Sequence, residues 1–146
     1  MTTKQLSVFL ENKPGQLIEF TRLLQQNNVN MHAMCLADTK DFGIVRVIVD
    51  DSYKAACVLK EAGFVFSITP VLAVEIPDEP GGLVHVFEPL AAEGVNLEYT
   101  YAFTSRKEGC AYMILRVTDN DKAAEILGRN NIRLICQHEL AEVFKS

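Results

Sequence analysis

The chain has 146 residues, 49% in the apolar set and 23% charged, with 14 Lys and Arg against 19 Asp and Glu for a formal net charge of −5. That length makes one ordinary domain or two very small ones, and the apolar content is too high for a disordered chain. The acidic balance offers no cationic face for general nucleic-acid binding or for anionic membranes, and no apolar run approaches the roughly 20 residues that span a bilayer.

Gln5 to Glu11 alternates, with Leu6, Val8 and Leu10 on one face, and predicts a strand. Asn12-Lys13-Pro14-Gly15 is a turn, and proline suits a first helical position because its missing N–H has no helical partner there. Leu17, Phe20, Leu23 and Leu24 recur at helical spacing until Asn27-Asn28. A second strand is expected over about Val29–Ala37, a hairpin turn at Asp38–Asp41 and a third strand over Ile44–Val49. Asp51 or Ser52 caps a helix carrying Ala55, Ala56, Leu59 and Ala62. Gly63 ends it, and a fourth strand begins near Phe64.

The order then repeats. Leu72, Val74 and Ile76 alternate, Pro77–Gly81 turns, and a helix carries Leu83, Val86, Phe87 and Leu90. Pro89 lies inside that helix and predicts a bend or a shortened element. Strands follow at about Val95–Phe103 and Cys110–Thr118, then a helix capped by Asp119, then a strand from near Ile132. The tail Glu139–Phe144 is expected to form an extra strand, although Glu142 interrupts its apolar pattern.

Shifting the sequence by 66 residues lays one copy on the other. Pro14-Gly15 meets Pro80-Gly81, Leu17 meets Leu83, and Val29-Asn30 meets Val95-Asn96. After a loop two residues longer, the shift becomes 68, and Lys54-Ala55-Ala56 meets Lys122-Ala123-Ala124. Two copies of strand–helix–strand–strand–helix–strand predict an α+β protein of two ferredoxin-like βαββαβ units with antiparallel sheets, over 1–69 and 70–146. Each unit is small for an independent core, so fusion lets the two bury surface on each other.

Motifs for nucleophilic, phosphate-binding or dinucleotide-binding chemistry are absent from the sequence. His32, His85 and His138 stand at no metal-ligand spacing, and His85 reads as a surface residue. No cofactor, metal or catalytic residue is expected. Cys35, Cys57, Cys110 and Cys136 form no CxxC pair and read as reduced, mostly buried thiols. With no apolar signal core in Met1–Gln5, this suggests a cytoplasmic protein.

The turns before the first helix of each copy are the stronger candidates. A helix N-terminus leaves backbone N–H groups unpaired, glycine admits a ligand close to that backbone, and the helix dipole favours a carboxylate. Asn12 or Asp78 stands at the rim. These parts suit the carboxylate and amine of an amino acid.

At these residues the sequence resembles the ACT domain family. That family carries an Asn/Asp-x-Pro-Gly-x-Leu turn, an apolar helix and a Val-Asn-Ile-like start to the second strand. Here the pattern reads Asn12 to Leu17 with Val29-Asn30-Met31, and again Asp78 to Leu83 with Val95-Asn96-Leu97. The resemblance covers roughly 4–137 as a tandem pair. It implies units packed side by side and a regulatory, allosteric module that binds a free amino acid between the turn of one unit and the second strand of its neighbour. Carried over, Asn12, Pro14, Gly15, Gln16 and Leu17 would face Asn96, Leu97 and Thr100. Asp78, Pro80, Gly81, Gly82 and Leu83 would face Asn30, Met31 and Met34.

The pockets should be inequivalent. Asn12 donates and accepts, whereas ionised Asp78 only accepts. Gly82 is expected to leave more room than Gln16. Leu17, Met31, Met34, Leu83, Leu97 and Tyr99 favour an apolar, aromatic or imidazole ligand side chain. The partners implied are an amino-acid ligand, a regulated enzyme or transcription partner and further copies of the chain. A structural assembly module and a small enzyme on a ferredoxin-like scaffold are the alternatives. An RNA-binding module is disfavoured, since the first copy lacks counterparts to Tyr99, Tyr101, Phe103 and Tyr112.

Overall fold

The structure is a computed structural model that describes residues 2–38, 42–104 and 107–143. It divides into two compact units, one of Lys4–Thr69 and one of Pro70–Ser146 with Met1–Thr3. The first unit contains β1 (Thr3–Glu11), α1 (Gln16–Gln26), β2 (Met31–Asp38), β3 (Phe42–Val49), α2 (Ser52–Glu61) and the start of β4 (Val65–Pro77). The second takes the rest of β4, α3 (Gly82–Ala92), β5 (Leu97–Phe103), β6 (Cys110–Val117), α4 (Asn120–Arg129), β7 (Arg133–Leu134) and α5 (Gln137–Val143).

The sheet of the first unit runs β2-β3-β1-β4, with β3 antiparallel to both β1 and β2. The alternation read in β1 has its structural counterpart: Leu6, Val8 and Leu10 lie opposite Val47, Val45 and Gly43. With Phe20 and Leu24 of α1 and Ala55 and Leu59 of α2, the apolar members form one core. Phe20 is fully buried and meets Phe64 edge to face at 6.2 Å, a geometry worth about 0.5–1.5 kcal/mol beyond its buried area. In the second unit β6 lies between β4 and β5, and β7 pairs with β4. Leu72, Val74 and Ile76 take the places of Leu6, Val8 and Leu10 against Val86, Leu90, Ile126 and Leu127.

The backbone carries the same repeat. Gly15 and Gly81 both have left-handed backbone, as do Asn28 and Gly94, and Gly63 and Asn131. The ladders agree too, since Phe9 lies opposite Ile44 where Glu75 lies opposite Tyr112.

Several expectations change. The tail is a helix, α5, and not a strand. Leu140 is buried and Val143 half-buried at a spacing of three, so Glu142, which interrupts a strand pattern, fits a helical one. The Glu139 carboxylate accepts the Cys136 N–H at 2.8 Å while the Glu139 N–H donates to the Cys136 carbonyl at 3.0 Å, a reciprocal bond that starts the helix. Phe144 lies outside the described residues, as do Thr39, Lys40 and Asp41 of the expected hairpin turn. α3 is not shortened by Pro89, since it has 11 residues, as α1 does. Pro89 deprives the His85 carbonyl of its helical donor, and His85 is exposed, where water can replace it. The cysteines are free, but Cys57 is exposed and the others are only half-buried.

Candidate functional site

Both candidate turns are shaped by the same local chemistry. In the first, the Lys13 N–H donates to the Glu11 carbonyl at 2.9 Å, and the Glu19 N–H to that of Gly15 at 3.0 Å. Gly15, with φ 87°, is the residue that precedes α1, and a side chain there would be strained. In the second, the Asp78 N–H donates to the Gly109 carbonyl at 3.1 Å, and Gly81, with φ 90°, precedes α3. Neither α1 nor α3 receives a side-chain hydrogen bond at its start. α2 and α4 do: Asp51 accepts from the Lys54 N–H and Asp119 from the Lys122 N–H, each at 3.0 Å. The chain thus gives the second helix of each copy a side-chain cap and the first none, where the Gln16 and Gly82 N–H groups donate instead to the Lys13 and Glu79 carbonyls at 3.4 and 3.1 Å. Asn12, Pro14, Gly15, Asp78, Pro80 and Gly81 are all exposed.

Equivalent positions differ beyond the rim. Leu17 packs against the first core, whereas Leu83 is 37% exposed. Gln16 is half-buried, but Gly82 is buried. The expectation of extra room at Gly82 is wrong: a Cβ there would collide with the Pro77 carbonyl oxygen. The space is filled by backbone.

The strand candidates also carry structural duties. Val29 and Val95 are buried and donate to the last-turn carbonyls of Leu24 and Leu90, each at 2.9 Å. The Asn30 N–H donates to the Asp50 carboxylate at 3.0 Å, and the Asn30 carbonyl accepts the Asp50 N–H at 3.1 Å. The Asn96 carbonyl accepts the Thr118 N–H at the equivalent place. Met31 and Leu97 pack against the two cores. Met34 is 43% exposed. Thr100, its repeat equivalent, spends its hydroxyl proton on the Ile114 carbonyl at 2.8 Å, leaving only acceptor capacity for a ligand. His32 is half-buried on β2; burial pushes its imidazole down, against the pull of Asp50.

Among the described residues of the first unit, these candidates line separate cavities. Gln16 lines one of about 340 Å³ and Gly15 an adjoining one of about 370 Å³. Asn30 and Met31 line a third, of about 530 Å³, with Thr21 and Asn28. The first lies at the start of α1, the second runs along α1 from Gly15 to Gln26, and the third lies toward its end.

The sequence reading missed Glu75. Its carboxylate accepts from the Tyr112 hydroxyl at 2.8 Å, from Lys107 at 3.1 Å and from Arg133 at 3.1 Å. Partial burial pushes this carboxyl up, but the Tyr112 and Lys107 hydrogen bonds and the two positive charges outweigh it, and the net shift is downward. Burial and then Glu75 raise the Tyr112 hydroxyl. These partners stand 32 to 58 residues from Glu75, so no local spacing announces them. Comparison of the two copies does, because the first has Phe9 there.

Over residues 1–144 the sequence matches the family described as the ACT domain pair. The chain belongs to that family. No curated protein sequence matches it. Protein BT0572 from Bacteroides thetaiotaomicron, known from its crystal structure, is 41% identical, with a TM-score of 0.90 and 96% of each chain covered. The regulatory subunit of aspartate kinase from Thermus thermophilus in its ligand-free form shares the fold at 15% identity and a TM-score of 0.63, with 88% of this chain and 92% of that one covered. The corresponding subunit from Thermus flavus gives 16% and 0.62, with 87% and 88% covered. Membership supports a regulatory, ligand-binding role for this ACT pair. No helix among its described residues is long and apolar enough to cross a membrane.

Proposed function

We propose that this ACT pair is a cytoplasmic regulatory sensor that binds a free amino acid and acts on a separate partner. The observation that carries this reading is the contrast in capping. α2 and α4 have Asp caps, whereas α1 and α3 begin on left-handed glycines with no side-chain cap, in exposed turns at the same place in both copies. A ligand carboxylate would supply the missing acceptor, with the helix dipole in its favour. Asn12, Pro14, Gly15, Gln16 and Leu17 would meet Asn96, Leu97 and Thr100 of an adjoining unit. Asp78, Pro80, Gly81, Gly82 and Leu83 would meet Asn30, Met31 and Met34. β2 and β5 are the edge strands of their own units, which leaves each free to receive such a neighbour. The Thermus subunits that share the fold are named as regulatory parts of aspartate kinase, and a partner enzyme is proposed here by analogy.

The test is thermal unfolding of the whole chain against each of the twenty amino acids. One ligand at about 100 times its Kd adds about 2.7 kcal/mol, a Tm rise of roughly 5–10 °C for this length. The expected result is a rise with one amino acid or a few related ones, lost in Asn12→Ala combined with Asp78→Ala. A flat panel overturns the reading.

A further inference from the structure

The cavity of about 340 Å³ in the first unit lies where the start of α1 meets the end of α2 and the adjoining ends of β1 and β3. It shares Gln16 with the candidate turn, but not Asn12. Phe9, Phe42 and Phe64 line it, with Phe9 45% and Phe42 56% exposed. Its charged lining is Glu11 and Glu19, with no Lys or Arg among the described residues. Glu11 meets Lys13 at 2.9 Å, but both side chains are more than half exposed, a kind of pair that yields readily to a competitor. Arg22 lines the adjoining hollow, which shares Glu19 and Phe64. The C-terminal end of α2 at Ala62 and Gly63 adds the negative pole of a helix.

The second unit shows what the same end of the fold can hold. The two ladders place Glu75 at the position of Phe9 and Cys110 at that of Phe42. The left-handed residues Gly63 and Asn131 place Arg133 at the position of Val65. There the Glu75 carboxylate takes an ammonium from Lys107 and a guanidinium from Arg133, both from the chain itself. The first unit has glutamates and phenylalanines around a hollow, with Val65 in place of the arginine.

We propose that this cavity of the first unit is a binding site for an organic cation, an ammonium or guanidinium group carried on an apolar body. The head group lies against Glu11 and Glu19, and the body against the phenylalanine rings, whose faces attract a cation at short range. The volume is that of a small-molecule site. The site is independent of the amino-acid reading, since it requires no ligand carboxylate and no contact with Asn12.

The experiment is calorimetric titration of the whole chain with agmatine, cadaverine and L-arginine at constant ionic strength, with sodium chloride and L-glutamate as controls. Saturable binding of agmatine or cadaverine is expected, weakened at least tenfold in Glu11→Gln combined with Glu19→Gln, and unchanged in Asn12→Ala, since neither probe carries a carboxylate. Val65→Arg should weaken it as strongly, by supplying within the chain the group that Arg133 supplies in the second unit. All four substituted side chains are exposed, and far-UV circular dichroism verifies that the variants fold. Agmatine and arginine binding alike means that the site reads the cation alone; arginine binding alone means that a carboxylate is required, as at the proposed amino-acid site, and overturns the proposal. Binding that survives the double glutamine variant, or no saturable binding by any of the three, overturns the proposal.

Discussion

At Gly82 the backbone of α3 passes so close to the Pro77 carbonyl that a methyl group would have to displace main chain. Gly128, inside α4, has open space at the same atom. Gly82→Ala is therefore expected to destabilise the chain by about 1–3 kcal/mol. Gly128→Ala should stabilise it by about 0.5–1 kcal/mol, because alanine loses less conformational freedom in a helix. Urea denaturation of the two variants checks the opposite signs. Glu75 gives a second prediction at this scale. Its folded pKa lies below the unfolded value, so its contribution is full at neutral pH and is lost as pH falls through the lowered folded value. Glu75→Gln should cost about 1–2 kcal/mol at pH 7 and flatten the acid limb of the stability–pH curve. An unchanged acid limb would show that the cations around Glu75 contribute nothing. Neither role follows from local spacing in the sequence. The Gly82 collision depends on how the turn folds back on Pro77, and the Glu75 network joins residues that only the sheet register brings together.

Among the elements, those with local causes could be read and those with distant causes could not. β1 follows from alternation, β3 from its run of β-branched residues, α2 and α4 from their Asp caps, and the two first helices from Pro-Gly turns. The tail was misread because strand alternation was asked of a segment whose apolar residues recur every three. The turn and strand candidates of the first unit line separate cavities, an arrangement that depends on packing and not on local spacing. Capping provides the test at this scale. Asp51→Ala and Asp119→Ala should each cost about 1 kcal/mol, the ordinary value of a lost cap. Asn12→Ala and Asp78→Ala remove no cap and should change the ligand-free stability by less than about 0.5 kcal/mol. If the turn variants cost as much as the cap variants in the absence of ligand, the turns are structural, and the helix ends without a side-chain cap are no binding feature.

The whole molecule ends each of its two four-stranded patterns on an open edge, β2 in one unit and β5 in the other. The two edges differ. β2 reads Met31 to Asp38 without lysine or proline and exposes Met34 at 43% and Leu36 at 50%, while β5 exposes Glu98. An unpaired edge with exposed apolar side chains favours pairing with another chain, and a charge on it opposes that. A regulatory module also needs a second packing whose population its ligand can shift, and association through β2 supplies one. The chain is therefore expected to self-associate through β2. Sedimentation equilibrium over a hundredfold range of concentration should show species larger than the 16.3 kDa monomer. Leu36→Lys should return it to the monomer while changing the stability of that monomer by no more than about 0.5 kcal/mol, since the side chain is half exposed. If the partner chain completes the amino-acid site, the same variant also loses the ligand-induced rise in Tm. A chain that stays monomeric at every concentration, with and without ligand, would remove β2 as the route by which binding reaches another copy.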